Sequence, residues 1–397
     1  MLPVRRDTPR LENFHSVRAP HVAAQAESIE WLAALHAAAE RTRAADDSFD
    51  EAGFRARMGK LLRRYGCSPD KIATRGHSLG ETDPSGRAGG IYDVAQDPAG
   101  ARSSARTAAY AQIAEAAMGC LYAGDEPPPR DLVHVTCTGY ASPSAAQRLV
   151  ARRGWERTTR VTHAYHMGCY ASLPAVRIAA GFLAAAARSL AEGDARRVDI
   201  VHNELCTLHV QPADHSPEQL VVQTLFADGH VRYSVRHDSE ADAEGAATGA
   251  SLAILALREE IVAGSVDSMA WSVSDYGMRM GLSREAPQLI AQAAREFVGA
   301  LFAEAGADAG DVARATFAIH PGGPKVIDVM QQALELRDEQ VAASRAVLLH
   351  YGNMSSATLP HIWMTVAGAA DVPAGTPVVS LAFGPGLTLS GAFMVKC

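Results

Sequence analysis

The strongest constraint on the fold is a stretch that cannot lie on a surface. From Ala171 to Ala187 the chain reads ASLPAVRIAAGFLAAAA, with Arg177 its only charge. A helix apolar on nearly all sides has to be buried between other elements. Pro174 suits a first helical turn, where its missing N–H costs little. The helix therefore starts within about one turn of Cys169, in VTHAYHMGCY. The positive end of a helix dipole lowers a thiol's pKa and the thiolate is the reactive form, so this position predicts a nucleophile. Taken alone, a buried inert thiol is the commoner use of such a cysteine.

What surrounds that helix predicts an α/β layered fold. Short β-branched runs, DLVHVTCTG (131–139) and RVDIVHNEL (197–205), alternate with helical patterns such as SAAQRLVARRG (144–154) and an alanine-rich segment over 101–122. Residues 21–45 read as one helix, with Ile29, Leu32 and Leu35 at helical spacing. A second helix, FRARMGKLLRRYG, places Phe54, Met58, Leu61, Leu62 and Tyr65 on one face and Arg55, Arg57, Lys60, Arg63 and Arg64 on the other. Such a charged face is usually only solvated; its sharper use is to dock a phosphate-bearing carrier. Residues 76–100 are turn-rich and read as an irregular surface segment. The acidic, Gly/Ala-rich run at 237–250 reads as a surface connection and divides the chain into 1–245 and 246–397. No internal sequence repeat is visible.

Composition excludes several function classes. With 397 residues, 48% of them hydrophobic and 20% charged, there is ample core for a folded protein. A net charge of −7 argues against nucleic acid as a partner, since phosphate neutralisation needs a basic surface. No stretch approaches the roughly 18 uncharged apolar residues of a membrane span, and the first residues lack a secretory apolar core, so a cytoplasmic protein is expected. Six cysteines without a CxxC pair suit a reducing compartment.

Two further stretches bring polar groups to the ends of apolar runs. ATFAIHPGGPKVIDVM delivers His320 into a Pro-Gly-Gly-Pro turn, and VLLHYGNMSSATL ends at Gly352 and Asn353. Both read as a strand leading into a helix, and strand ends of α/β sheets are where ligands bind. Together Cys169, His320 and Asn353 supply a nucleophile, a base or hydrogen-bond donor, and a neutral amide donor. A His N–H and an amide N–H can polarise a thioester carbonyl as an oxyanion hole does, whereas a carboxylate in place of Asn353 would repel a developing enolate.

These stretches, with LVVQTLFADG (220–229) and AFGPGLT (382–388), resemble the chalcone synthase superfamily, the type III polyketide synthases, over about residues 105–397. The resemblance implies the thiolase fold, an α/β architecture of two stacked αβαβα halves in five layers, working as a homodimer. It implies a catalytic Cys169, His320 and Asn353, with Phe226, Gly384 and Pro385 at the substrate site. A gatekeeping pocket position falls at Met280, and the residue reaching the partner subunit's pocket falls near Ser142. Priming ketoacyl-carrier-protein synthases share the triad, but Pro321 and Pro385 favour the type III side. Departures lie at Tyr170, Ala171 and Ser172 after the cysteine, where small residues are usual, and at DGHVRYSV (228–235), where a small-residue strand is usual.

The resemblance implies a Claisen condensation through a Cys169-bound acyl-enzyme. Its substrates are phosphopantetheine thioesters on coenzyme A or an acyl carrier protein, with no other cofactor, and an α-pyrone or related polyketide is the expected product. A Cys-His-Asn hydrolase and a non-catalytic homologue are the rival classes. His163, His166 and Cys169 have a spacing that suggests zinc, but no second ligand pair lies nearby and a catalytic thiol is the better use of Cys169. Cys137 and Cys206 read as core, and His202, His209 and His215 as structural.

Overall fold

The structure is a computed structural model that describes residues 4–5, 7–80, 90–186, 197–237 and 250–397. In chain order the elements are β1 (Pro9–Val17), β2 (His21–Ala24), α1 (Gln25–Ala44), α2 (Glu51–Tyr65), β3 (Thr74–His77), α3 (Ser103–Leu121), β4 (Asp131–Thr136), α4 (Ala145–Arg153) and β5 (Arg160–Tyr165). Then follow α5 (Ser172–Ala186), β6 (Val198–Leu205), α6 (Pro217–Leu225), β7 (Asp228–His237), β8 (Leu252–Ile261), β9 (Met269–Ser274) and β10 (Gly277–Leu282). The chain ends with α7 (Ala286–Ala305), α8 (Ala309–Arg314), β11 (Thr316–Ile319), α9 (Pro324–Leu334), α10 (Asp338–Tyr351), α11 (Thr358–Gly368), β12 (Pro377–Gly384) and β13 (Thr388–Lys396).

Nine strands hydrogen-bond in the order β11-β12-β13-β8-β1-β7-β6-β4-β5. Only two residue pairs, Arg10 with Ala253 and Leu11 with Leu252, join β1 to β8, so the array is two half-sheets meeting at a narrow seam. Each half repeats one pattern outward from the seam: an antiparallel pair, another antiparallel pair, then a parallel pair (β1-β7-β6-β4 and β8-β13-β12-β11). The repeat is thus structural, although no sequence repeat announces it.

Side-chain alternation along these strands explains the layers. Leu132 and Val201 face an outer core with Ile29, Leu32, Phe54 and Tyr110 of α1, α2 and α3, while Val133 and Ile200 face a central core with Val176, Leu183, Ile362 and Trp363. On the other half Val379 and Phe393 face an outer core with Phe297, Leu301 and Ile327 of α7 and α9, while Val378 and Ala392 face the central one. Helices α5 and α11 therefore form the middle of five layers. Strands β4, β6, β12 and β13 are buried at every position, as strands covered on both faces must be. The apolar stretch after Cys169 takes the central place its composition demands.

Two expectations are corrected. The helix assigned to 21–45 starts at Gln25, because His21–Ala24 is a strand paired with β3 from His21↔His77 to Ala24↔Thr74. That pairing also makes 76–77 part of a strand rather than irregular. Residues 81–89, the connection at 238–249 with the 245/246 division, and Ala187 lie outside the described residues. Among the described residues no helix is long and apolar enough to cross a membrane.

Burial of histidine gives the fold a pH limit. His134, His202 and His320 are pushed down to about 3 and His36, His209, His230 and His361 to about 4 from an ordinary 6.5, each chiefly by burial. The folded state holds them neutral while the unfolded chain binds protons below pH 6.5, so their contribution is full above that value and is lost progressively towards pH 3–4. Each group costs up to about 1.4 kcal/mol per pH unit in that window, so a few together rival a domain's whole stability. The thermal midpoint should fall steeply between pH 6.5 and 5. Calorimetry over that range would refute this by a flat profile.

Candidate active site

Cys169 sits three residues before the first residue of α5, in a tight turn between β5 and that helix. The turn needs backbone that few side chains tolerate: His166 has φ +60° and Gly168 φ +83°. A Cβ on Gly168 would lie 2.3 Å from Cδ of Pro385, so Gly168 also lets the C-terminal loop pack against the Cys169 turn. Gly384 plays the same part for Tyr170, whose Cδ1 would be 2.0 Å from an added Cβ. The bulk that departs from the family pattern at Tyr170 is accommodated there.

His320 follows β11 directly. Its N–H donates to the Leu381 carbonyl (2.8 Å) on β12, the strand that runs on to Gly384 and Pro385. Asn353 is corrected in one respect: the run before it is helix α10, not a strand. The longer spacing Val341, Ser344, Val347, Leu348 buries one helical face, and α10 ends at Gly352, with φ +73°. Asn353 then pairs with α6: its N–H donates to Leu225 (3.0 Å), and its carbonyl accepts from Ala227 N–H (2.8 Å). That bridge seats Phe226 beside it.

Two of the three candidate residues carry buried polar atoms with no protein partner. Asn353 Oδ1 accepts from Ser355 N–H (2.8 Å) and Thr358 Oγ1 (3.3 Å), which fixes the amide, whereas its Nδ2 has no partner. His320 is 1% exposed and neither ring nitrogen is bonded. Buried polar groups are nearly always paired, so three atoms without a protein partner on His320 and Asn353 stand out from the core around them. Cys169 Sγ lies 3.8 Å from Ser355 Oγ. Contrary to the dipole expectation, burial pushes its thiol up to about 12, with the Ser355 hydroxyl opposing the rise and Glu204 adding to it.

A constricted cavity of about 20 Å³ adjoins Cys169 and is lined by Phe226, Met280, Pro385, Trp271 and Ser355, but not by His320 or Asn353. Cys137 and Cys206, read from sequence as core, line it too. Ser142 is exposed outside this cavity, in a cis bond to Pro143. His163 pairs with Ser144 Oγ (2.9 Å). Sequence reasoning also missed Trp271, whose Nε1 donates to the Cys137 carbonyl (2.7 Å), and Glu204, a fully buried carboxylate behind the site. The one available signal for Glu204 was a carboxylate in a short strand, VDIVHNEL, whose β-branched residues mark it as an inner strand.

Comparison with known proteins agrees with this geometry. Residues 100–238 match the N-terminal domain of chalcone and stilbene synthases and residues 254–397 their C-terminal domain. The chain thus belongs to the chalcone and stilbene synthase family, the type III polyketide synthase-like proteins. It is 29% identical over 270 residues to type III polyketide synthase C of Arabidopsis thaliana, covering 66% of each chain. It is 28% identical over 260 residues to 1,3,6,8-tetrahydroxynaphthalene synthase of Streptomyces coelicolor, covering 65% of this chain and 64% of that one. The matched stretch therefore spans slightly under two thirds of these relatives. The fold of the C-terminal type III polyketide synthase domain of Steely1 from Dictyostelium superposes with a TM-score of 0.78 at 21% identity, over 98% of this chain and 99% of that one. PKS-I of the brown alga Ectocarpus siliculosus gives 0.76 at 21%, over 98% of each.

Proposed function

We propose that this protein is a condensing acyltransferase that joins acyl thioesters by a Claisen reaction through Cys169. The observation that carries the reading is the set of unpartnered buried donors, Asn353 Nδ2 and the His320 ring, on the turns that follow α10 and β11. In the first half-reaction the Cys169 sulfur attacks an acyl thioester as its proton passes to neutral His320, which returns it to the departing carrier thiolate. In the second, the free N–H groups of His320 and Asn353 hold the carbonyl of another thioester while its enolate forms, by loss of carbon dioxide from a malonyl unit or deprotonation of a β-ketoacyl chain. The enolate carbon attacks the Cys169 acyl group, breaks its C–S bond and expels the Cys169 thiolate, which takes up a proton from solvent. A β-keto product can enolise and close on its own thioester as an α-pyrone. Preorganised donors matter here because the developing charge is buried away from water.

The substrates are thioesters of phosphopantetheine, on coenzyme A or a carrier protein. Arg55, Arg57, Lys60 and Arg64 are exposed on α2, which supports delivery by an anionic carrier; Arg63 is held by Glu30. The working form is a homodimer, supported by the edge position of β5 in the strand order. Intact-protein mass spectrometry after mixing with acyl-coenzyme A and acyl-carrier-protein panels tests the scheme. A single acyl adduct mapping to Cys169, with a β-keto or pyrone product, is expected. No adduct from any thioester would overturn it.

A further inference from the structure

A second opening lies away from Cys169, between β2, the first turns of α1, β3 and the turn after β6. It is a cleft of about 270 Å³, nearly twice the ~150 Å³ that holds benzene in an engineered apolar cavity. Trp31, Leu32, Leu79, Tyr92 and Val210 give it a mostly apolar lining. Among the described residues it shares none with the cavity at Cys169. The wall between them is pinned where Cys206 lines one and Thr207 the other: Tyr92 Oη donates to the Thr207 carbonyl and accepts from Val210 N–H (3.1 Å).

The cleft wall carries a guanidinium without a protein counter-ion. Arg75 lines it and is only 7% exposed. Its Nε donates to Gln25 Oε1 (2.7 Å), and its Nη1 donates to the carbonyls of Gln223 (2.8 Å) and Phe226 (2.7 Å). Among the described residues Nη2 has no hydrogen-bond partner, and no carboxylate lies within ion-pair distance of the side chain. Asp228, whose charge Arg75 feels, is taken up instead by Ser78 N–H (2.7 Å), Thr207 N–H (2.9 Å) and Thr207 Oγ1 (2.9 Å). Burial lowers Arg75 to about 10, which still leaves a cation at neutral pH. With Nε and Nη1 turned to the acceptors behind it, Nη2 is the part left to the cleft. A buried charge held only by neutral acceptors is costly, and an anion reaching Nη2 would offset that cost. Trp31 Nε1, on a residue of the same wall, is a second buried donor with no partner.

We propose that this cleft is a binding site for a small aryl carboxylate, with its ring against Trp31 and Tyr92 and its carboxylate on Arg75 Nη2. Trp31 and Tyr92 cross at 76° with centroids 5.7 Å apart, an apolar corner that a planar ring can fill on two sides. The volume admits one ring with a short side chain. Glu27 is the one acid among the described lining residues; it is exposed at the rim and its Oε2 accepts from Ala24 N–H (3.2 Å), so water screens its charge. Helix α1 starts on this wall at Ala24, which has no side chain to cap it, so the positive end of its dipole adds to the charge of Arg75. His77 is stacked on His21 and bonded through Nδ1 to the Leu79 carbonyl (2.9 Å), and burial lowers its pKa, so it is neutral at pH 7.

The inference stands apart from the condensation chemistry, and its test needs no turnover. Binding of benzoate, phenylacetate and 3-phenylpropanoate to the full chain is measured by calorimetry and tryptophan fluorescence, with benzamide and 3-phenylpropanamide as neutral controls. At least one acid should bind saturably and its amide about tenfold more weakly, the scale of a charge-assisted hydrogen bond to a buried cation. Arg75→Met should erase the difference between acid and amide. Because Arg75 also holds Gln25, Gln223 and Phe226, a second variant keeps the test open if that one does not fold: Ser28→Phe fills the cleft from α1 and should remove binding with Arg75 in place. Carbamidomethylation of Cys169, verified by mass, should leave binding intact. Absence of saturable binding by any of the acids, equal binding of acid and amide, or binding that survives Ser28→Phe would overturn the proposal. So would binding lost on modification of Cys169, which would put the ligand in the other cavity.

Discussion

Cys169→Ala is expected to abolish acyl-adduct formation and to reduce product formation by at least about 10⁴-fold, the scale on which loss of a covalent nucleophile acts. The prediction is sharper than usual because two other thiols line the same cavity and could in principle take the acyl group. They are worse placed to do so. Burial raises Cys137 and Cys206 well above their ordinary range, with Glu204 adding to both, whereas the Ser355 hydroxyl opposes the rise at Cys169. Cys137 is further committed through both sides of its sulfur to the Gly168 peptide. Mass mapping of the Cys169→Ala protein should find no acyl group at either position. Undiminished product from that variant would remove Cys169 from the chemistry and with it the acyl-enzyme scheme.

The turns that carry the three candidate residues were legible because each has a composition unusual for a loop: a glycine at φ +83° beside Cys169, a Pro-Gly-Gly-Pro after His320, a glycine at φ +73° before Asn353. Local composition reports such backbone demands directly. The route into a turn was less legible. The run VLLHY was read as a strand from its last few residues, while the face that decides it, Val341 to Leu348, extends over two turns of helix. At the other end of the chain, alanine-rich residues 21–24 carried helix propensity, yet pairing with Thr74–His77 overrode it.

What the sequence hid depends on distant pairing and on burial. Glu204 and Ser356 are 152 residues apart, and Cys137 and Gly168 are 31 apart. No spacing rule joins them. Cys137 and Cys206 looked like core because they end buried strands, and they are buried, but strand ends in this fold open on the cavity. The thiol's charge state was hidden for a related reason. The helix dipole that favours a thiolate is visible in sequence, whereas the loss of water around Cys169 and the carboxylate behind it appear only once the layers have closed, and here they outweigh the dipole.

Asn353→Asp separates the two half-reactions and gives the second large effect. Oδ1 of Asn353 serves only as an acceptor, from Ser355 N–H and Thr358 Oγ1, and an aspartate can keep both bonds. The change falls on the other atom, where the unpartnered Nδ2 donor becomes a carboxylate oxygen. Attack on the first thioester leans on Cys169 and His320, so acylation should survive within about tenfold. The enolate step should fall by about 10²–10³, the worth of one preorganised oxyanion donor, because a negative oxygen now faces the developing negative charge. Burial should raise the pKa of the new carboxyl, and its protonated form can donate where the amide did. Condensation by this variant should therefore recover as pH falls from 8 to 6.5, a range in which the buried histidines still leave the fold stable. Single-turnover transfer from pre-acylated enzyme, followed against pH, reads this directly. A simple packing fault would show no such recovery, and a variant that condenses at the wild-type rate at pH 8 would mean that Asn353 does not hold the enolate.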